Sequence, residues 1–344
     1  MIKKLRIKNF KCYGPHGADF NLSKVNFIYG DNSVGKSSFL QFLEQFVKQI
    51  DYKNQYDREA FDRFAFKGHG PVTARVRAVT ETSESSVECE LAFQPGRGNG
   101  YYETTVKDGI RICPEFWDSI LPKNGGRDRI VHWPSKSEFE RDYAGASELE
   151  SAGFLTQVEM RSMDDRGAEY LDDLLHRIGV PYSCVKDSDG RVSRERIHDR
   201  DFDIDVPLHD VGWGIQRIFR LAFALMDWQA GILVLEEPES NVDEAQLGAL
   251  TRVLVEEALK RPHGQLIVEC HSKLMVLQLA ALVKEGMIGG TVEENGLRVI
   301  EISKTQDGSA VADVGIDSNG RIDWPSSFFC AEGKIMRSLY EVGA

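Results

Sequence analysis

The sequence feature that most restricts the fold is a glycine-rich loop with the spacing Gly-x-x-x-x-Gly-Lys-Ser at residues 30–37. It follows an apolar run, Val25 to Tyr29, that is typical of a buried strand. It precedes apolar residues spaced three and four apart, which predict an amphipathic helix over residues 37–50. A strand, a loop and a helix in this order direct backbone N–H groups and a helix N-terminus at an anion. The spacing therefore predicts a phosphate-binding loop within an α/β fold.

The residues of this loop have distinct predicted roles in binding a nucleoside triphosphate. Lys36 is expected to reach the β- and γ-phosphates, and the hydroxyl of Ser37 is expected to ligate Mg²⁺. The glycines allow the backbone to curl around the phosphates. Further nucleotide contacts are predicted for Gly30, Asn32, Ser33, Val34, Gly35 and Ser38. ATP and Mg²⁺ are the cofactors that the loop implies.

Two adjacent carboxylates, Glu236 and Glu237, follow a second apolar strand, Ile232 to Leu235. Ligands of open α/β sheets bind at the carboxyl ends of the strands, so both side chains are predicted to emerge beside the phosphate loop. We assign Glu236 to the metal ion and Glu237 to the attacking water. A solvated acidic loop is the alternative interpretation, which the presence of the phosphate loop disfavours.

A histidine, His271, lies just after the next apolar strand, Leu266 to Val268, in the sequence Glu-Cys-His-Ser. At the same edge of the sheet, it could donate a hydrogen bond to the γ-phosphate. Taken alone, a histidine in this position more often has a structural or capping role. Together with the phosphate loop and the paired carboxylates, it is predicted to be catalytic.

A Gly-Trp-Gly turn, formed by Gly212, Trp213 and Gly214, opens a predicted helix over residues 215–229. The N-terminus of that helix is a second potential anion site. One nucleotide does not need two such sites from one chain, and no Gly-Lys-Ser follows the turn. We therefore expect the turn to close on ATP bound by a second subunit.

Charge and composition exclude several functional classes. The chain has 42 Lys and Arg against 54 Asp and Glu, a net charge of −12, which excludes a protein that coats nucleic acid; a DNA contact could only be local, at the basic first eleven residues. The six cysteines are too widely spaced for a zinc site or a disulfide framework. No apolar run reaches membrane-spanning length and no signal peptide is recognisable, so the protein is expected to be cytoplasmic, with no membrane partner.

Strand and helix patterns divide the chain into three predicted parts. Residues 1–107 form the first lobe, which contains the phosphate loop and an antiparallel β meander. Residues 108–205, which are charged and rich in turns, form an inserted, partner-specific subdomain. Residues 206–344 form the second lobe, in which helices alternate with buried strands, as in a mostly parallel sheet with helices on both faces. The meander strands are predicted at Val72–Thr80, Val87–Phe93 and Tyr101–Val106.

Taken in order, these motifs resemble those of ATP-binding-cassette (ABC) ATPases in the RecF, SMC and OLD-like group. The resemblance identifies residues 30–38 as Walker A, residues 232–237 as Walker B and His271 as the switch histidine. It implies that two subunits sandwich two ATP molecules, with Gly212 and Gly214 facing the partner's γ-phosphate. Many relatives have Ser-Gln after the glycine turn where this chain has Gln-Arg; we expect Arg217 to act across the interface as a positive charge.

The resemblance points to small bacterial AAA-type members of the group. The sequence has no sustained heptad repeat, so it does not predict a coiled coil. The residues after His271 lack the Glu and Asp-x-Asp pattern of a Toprim nuclease. The expected function is an ATPase that dimerises around ATP and switches a separately encoded effector, such as a nuclease or toxin, in phage defence or DNA surveillance and repair. The alternative is an ATP-dependent scaffold or binding module with negligible turnover.

Overall fold

The computed structural model describes residues 1–51, 72–79, 86–93, 130–133, 165–186, 192–291 and 296–325. Its strands are β1 (Ile2–Lys8), β2 (Ala18–Asn21), β3 (Val25–Tyr29), β4 (Val72–Val79), β5 (Ser86–Phe93), β6 (Ile130–Trp133), β7 (Tyr182–Lys186), β8 (Val192–Asp199), β9 (Ile204–Pro207), β10 (Gly231–Glu236), β11 (Gly264–Cys270), β12 (Leu297–Thr305), β13 (Gly308–Asp313), β14 (Gly315–Ile316) and β15 (Ile322–Asp323). Its α-helices are α1 (Lys36–Asp51), α2 (Asp165–Ile178), α3 (Trp213–Asp227), α4 (Glu244–Leu259) and α5 (Lys273–Lys284).

Among the described residues, the central sheet has six strands in the order β13-β12-β3-β11-β10-β6. Neighbouring strands from β12 to β6 are parallel, and β13 is antiparallel to β12. Every residue of β3, β10 and β11 is buried, because both faces of a parallel sheet are covered. The predicted α/β class with a mostly parallel core sheet is confirmed.

Each face of this sheet packs against different elements. Phe27, Leu233 and Val268 point into a core shared with α2, α3, α4 and α5. On the opposite face, their neighbours along the strands pack against α1 and the N-terminal strands. Phe39 of α1 stacks on Phe20 of β2 with ring centroids 4.2 Å apart. The helix after the glycine loop is therefore fixed from the side opposite the other helices.

The N-terminal antiparallel sheet has the order β2-β1-β4-β5. β4 and β5 correspond to the first two strands predicted for the meander, and the third, residues 101–106, lies outside the described residues. β1 lies between β2 and β4 and pairs antiparallel with both. Within the described part of the chain, no helix has the length and apolarity that crossing a membrane requires.

The predicted inserted subdomain requires a correction at β6. This strand lies within residues 108–205, yet it pairs in parallel with β10 and is the last strand of the core sheet in the part of the chain that the structure describes. Trp133, its last residue, is completely buried. Residues 130–133 therefore belong to the core, and α2 joins the same core through Leu171 and Leu174. Elsewhere, the boundaries at 108 and 205 remain predictions.

Candidate nucleotide-binding site

The glycine loop connects β3 to α1 in a conformation that requires glycine at position 35. Gly35 has φ +118°, and a Cβ there would lie 2.5 Å from Cys12 Sγ, so only glycine fits. Lys36 is 4% exposed and donates hydrogen bonds to the carbonyls of Gly30, at 2.9 Å, and Asp31, at 2.7 Å. Burial lowers the pKa of Lys36, and the negative charge of Glu269 is the largest opposing effect. The ammonium group of Lys36 is thus held against the backbone of the glycine loop.

A cavity of about 340 Å³ lies in front of this loop. Its walls combine two groups of residues predicted from separate motifs. The loop contributes Asn32, Ser33, Gly35, Lys36, Ser37 and Ser38, and the far edge contributes Glu237, Glu269 and His271. Lys11 and Cys12, which follow β1, complete the lining. The structure therefore brings the loop together with Glu237 and His271, whereas Gly30, Val34, Glu236, Gly212, Gly214 and Arg217 do not line this cavity.

Glu237 lies immediately after β10 and faces His271. Its Oε1 is 3.3 Å from His271 Nε2, and Ser240 Oγ donates to its Oε2 at 3.1 Å. The hydrogen bond with His271 is the main cause of a lowered pKa at Glu237; burial opposes it, and Ser240 adds to it. Glu237 is therefore a carboxylate at neutral pH, as a group that polarises water must be. Its backbone has φ +46°, which is rare for a residue other than glycine.

A second glutamate in the segment after β10, Glu239, binds the backbone of His271. The N–H of His271 donates to Glu239 Oε1 at 2.5 Å. Burial raises the pKa of Glu239, and the hydrogen bond from His271 opposes this effect. The segments after β10 and β11 are thus joined twice, through the His271 side chain to Glu237 and through its backbone to Glu239.

Glu269 is a site residue that the sequence analysis did not assign. It is 2% exposed, and its Oε1 accepts a hydrogen bond from Ser37 Oγ at 3.0 Å. Burial and then the nearby charge of Glu236 raise the pKa of Glu269 to about 7. A sequence signal was present, because Glu269 directly follows the apolar run Leu266 to Val268, as Glu236 follows Ile232 to Leu235. The structure places these two glutamates in register. Glu236 itself is 5% exposed.

The donor set around the cavity fits a divalent cation. One ligand atom from each of Glu237, Glu269 and His271 lies within 4.8 Å of the others. The Ser37 hydroxyl, predicted to ligate Mg²⁺, is hydrogen-bonded to one of these carboxylates. Carboxylate and hydroxyl oxygens are suitable ligands for Mg²⁺.

The two glycines of the turn before α3 have different surroundings. A Cβ on Gly214 would lie 2.1 Å from the carbonyl oxygen of Asn241, so this glycine packs closely against the segment after β10. A Cβ on Gly212 would meet no atom within 4 Å. Trp213, between them, is 44% exposed. Of the two glycines, Gly212 therefore has open space beside it.

Arg217 does not have the position expected of a group that acts across a subunit interface. Its side chain donates to the carbonyls of Glu236, at 3.3 Å, and Glu237, at 2.8 Å, and its guanidinium lies 4.3 Å from the Trp133 ring centroid. The residue is only 3% exposed. Burial lowers the pKa of Arg217 to about 10, with Glu237 and Glu239 opposing, so it remains charged at neutral pH. The expectation is corrected: Arg217 binds the end of β10 in its own chain.

The glycine contacts predict unequal effects of two alanine substitutions. Gly214→Ala is expected to lower the free energy of unfolding by about 1–3 kcal/mol, because the added methyl group would collide with backbone. Gly212→Ala is expected to change it by less than about 1 kcal/mol, because the space beside it is open. Denaturant unfolding of both variants measures the difference. Equal losses of stability would contradict this packing.

A family profile matches residues 25–276, which include the loop, the glycine turn, the paired carboxylates and His271. The family is described as "AAA domain, putative AbiEii toxin, Type IV TA system". The chain belongs to this AAA-domain family. No curated protein sequence gives a significant match.

Solved structures with the same fold include head domains of SMC proteins. An SMC head bound to the C-terminal winged-helix domain of ScpA has 15% identity and a TM-score of 0.59, over 92% of this chain and 98% of that one. The SMC head domain from Thermotoga maritima has 16% identity and a TM-score of 0.54, over 92% and 99%. An SMC head with an extended coiled coil, from Pyrococcus furiosus, has 14% identity and a TM-score of 0.56, over 99% of both chains. The AAA-domain protein therefore has an ABC-type ATPase fold of the SMC and RecF kind, as predicted.

Proposed function

We propose that this AAA-domain protein binds and hydrolyses ATP, dimerises around the nucleotide and uses the cycle to switch a separately encoded effector. The observation that carries the proposal is the meeting of Lys36, Ser37 and an ionised Glu237 in one cavity. A phosphate loop alone would support binding. A carboxylate opposite it, held by His271 and Ser240, also supports attack by water.

The residues have complementary roles in the proposed hydrolysis. Lys36 and the backbone of the loop bind the phosphates, and Ser37 and Glu236 are the proposed ligands of Mg²⁺. Bound Mg²⁺ neutralises charge that develops on the phosphate oxygens. Glu237 orients the water and accepts its proton. His271 keeps Glu237 ionised and in place, and it can donate to the γ-phosphate.

The surroundings of Gly212 support closure by a second subunit. The turn has an open side at this glycine and presents the half-exposed indole of Trp213 at the N-terminus of α3. A helix N-terminus favours an anionic ligand. We therefore propose that Gly212 contacts the ATP bound by the partner subunit, and that Gly214, which packs against Asn241, holds the turn in position.

The effector proposed for this ATPase is a separately encoded protein. The family description refers to a toxin–antitoxin system, and two of the SMC heads are bound to ScpA. Both associations are consistent with an ATPase that acts on a protein partner, such as a nuclease or toxin, in phage defence or DNA repair. Direct contact with DNA has weaker support, because Arg6 of the basic start pairs with Asp19 at 3.2 Å.

The proposal is tested first by replacing the lysine of the loop. Lys36→Ala is expected to weaken ATP binding by about 10- to 100-fold, because it removes a buried charge-assisted contact to phosphate. Titration with a fluorescent ATP analogue measures binding, and phosphate release measures turnover. Lys4→Ala, an exposed cation on β1, serves as control.

The two readouts also separate the proposal from its alternative. An ATPase shows binding and phosphate release that both depend on Lys36. A scaffold with negligible turnover shows binding that depends on Lys36 but no phosphate release above background. Equal ATP binding by Lys36→Ala and Lys4→Ala would contradict both.

A further inference from the structure

We propose that Glu237, Glu269 and His271, with the Ser37 hydroxyl, form a mixed nitrogen and oxygen metal site that binds a divalent transition-metal ion such as Mn²⁺ more tightly than Mg²⁺. The site does not require nucleotide to bind the ion. The inference concerns the chain without nucleotide and does not rest on the proposed function, in which Ser37 and Glu236 are the ligands of the Mg²⁺ that accompanies ATP.

The Glu269 carboxylate is the first reason to assign a cation here. Glu269 is 2% exposed, and its Oε1 accepts a hydrogen bond from Ser37 Oγ at 3.0 Å. Its other oxygen, Oε2, has no hydrogen-bond partner among the described residues. Buried polar atoms are normally satisfied, and an unsatisfied carboxylate oxygen is costly. A cation within the cluster would satisfy it.

The spacing of the three side chains is the second reason. Ligands about 2.1–2.3 Å from one ion lie at most about 4.2–4.6 Å apart when they are on opposite sides of it. The ligand atoms of Glu237, Glu269 and His271 all lie within 4.8 Å of one another, so shifts of a few tenths of an ångström suffice. The 3.3 Å separation of Glu237 Oε1 and His271 Nε2 suits neighbouring ligands.

The chemistry of the donors decides which metal ion is favoured. Mg²⁺ prefers an all-oxygen octahedron and retains several waters, whereas imidazole nitrogen favours transition-metal ions. His271 supplies that nitrogen, and two glutamates supply charge. Because the His271 and Glu237 side chains are 31% and 33% exposed and line the cavity, an ion can enter from solvent.

Titration of the full chain with Mn²⁺ in the absence of nucleotide tests this site, with free Mn²⁺ followed by electron paramagnetic resonance. Wild type is expected to bind one Mn²⁺ per chain and to require about tenfold or more excess Mg²⁺ for displacement. Glu269→Gln is expected to weaken Mn²⁺ binding about tenfold or more. His271→Ala is expected to abolish the preference for Mn²⁺ over Mg²⁺.

A matched control comes from another strand of the same sheet. Glu301 of β12 is also buried, at 9% exposure, and is in register with Tyr29, but it does not belong to the three-residue cluster. Glu301→Gln should bind Mn²⁺ like wild type. Equal weakening by Glu301→Gln and Glu269→Gln would overturn the proposal, as would a folded wild type without a stoichiometric Mn²⁺ site.

The His271→Ala and Lys36→Ala variants test the metal site even if Glu269→Gln fails to fold. If circular dichroism shows that Glu269→Gln does not fold, Mn²⁺ binding by wild type and the Mn²⁺ to Mg²⁺ preference of His271→Ala still decide. An unchanged preference in His271→Ala would overturn the proposal. Lys36→Ala should lose ATP binding yet retain Mn²⁺ binding, so failure of the metal site and failure of the proposed ATPase function give different results.

Discussion

Replacing Glu237 by glutamine is expected to slow ATP hydrolysis by about 100-fold or more while leaving ATP affinity nearly unchanged. Glutamine retains the size of the side chain and can still accept a hydrogen bond from His271 or Ser240. It lacks the negative charge that takes a proton from water, and this charge is required only as the reaction proceeds. Single-turnover phosphate release, together with an ATP-binding titration, separates the two effects.

Glu244→Gln is a suitable control for this variant. Glu244 is an exposed carboxylate in the first turn of α4, close in sequence to the site but with no part in the cavity lining. Its replacement should leave the hydrolysis rate within about twofold, because no reacting group contacts it. A Glu237→Gln protein that hydrolyses ATP at the rate of Glu244→Gln would refute the assigned role.

The largest effect on stability is expected at Glu257 on α4. Its side chain is 1% exposed and interacts with Arg177 at 2.9 Å, Lys260 at 2.7 Å, Arg261 at 2.9 Å and Tyr170 at 2.5 Å. Glu257→Gln removes the carboxylate that pairs with the buried guanidinium of Arg261, which is 9% exposed. We expect a loss of about 3 kcal/mol or more in the free energy of unfolding, measured by denaturant titration.

The adjacent glutamate is the control for Glu257. Glu256 has a side chain that is 27% exposed and pairs with Arg177 at 2.5 Å. Glu256→Gln should cost less than about 1 kcal/mol, because water reaches this partly exposed pair and screens it. Equal losses in the two variants would show that burial does not control this network.

The same network predicts a dependence on pH. Burial alone would raise the pKa of Glu257, but hydrogen bonds from Lys260, Tyr170, Arg261 and Arg177 outweigh it and lower the pKa from 4.5 to about 2. A lowered carboxyl pKa stabilises the fold above the ordinary value and loses this effect as the pH falls towards the folded value. Between pH 4.5 and 2, wild type should therefore lose more stability than Glu257→Gln.

The parts of the fold that the sequence could predict are those set by local pattern. The start of helix α4 at Glu244 is set locally, because the side chain of Asp243 caps the first turn by accepting from the N–H of Ala245. The glycine loop was predictable because strand, loop and helix are contiguous. Its meeting with Glu237 and His271 followed from the rule that strand ends in parallel sheets lie at one edge.

Three features depended on contacts between distant residues and were missed. Strand β6 is only four residues long, and its place in the sheet comes from pairing with β10. Arg217 was expected at a surface, but the carbonyls at the end of β10 and the Trp133 ring hold it inside. Glu269 became a site residue only through its register with Glu236 and its hydrogen bond to Ser37.

Dimerisation around ATP is tested by the mass of the Glu237→Gln protein in solution, measured by multi-angle light scattering. This variant should retain ATP, so its ATP-bound state can accumulate. With ATP and Mg²⁺ we predict twice the mass of one chain, and with ADP and Mg²⁺ the mass of a single chain. A mass that is the same with ATP and with ADP would contradict an ATPase that dimerises around its nucleotide.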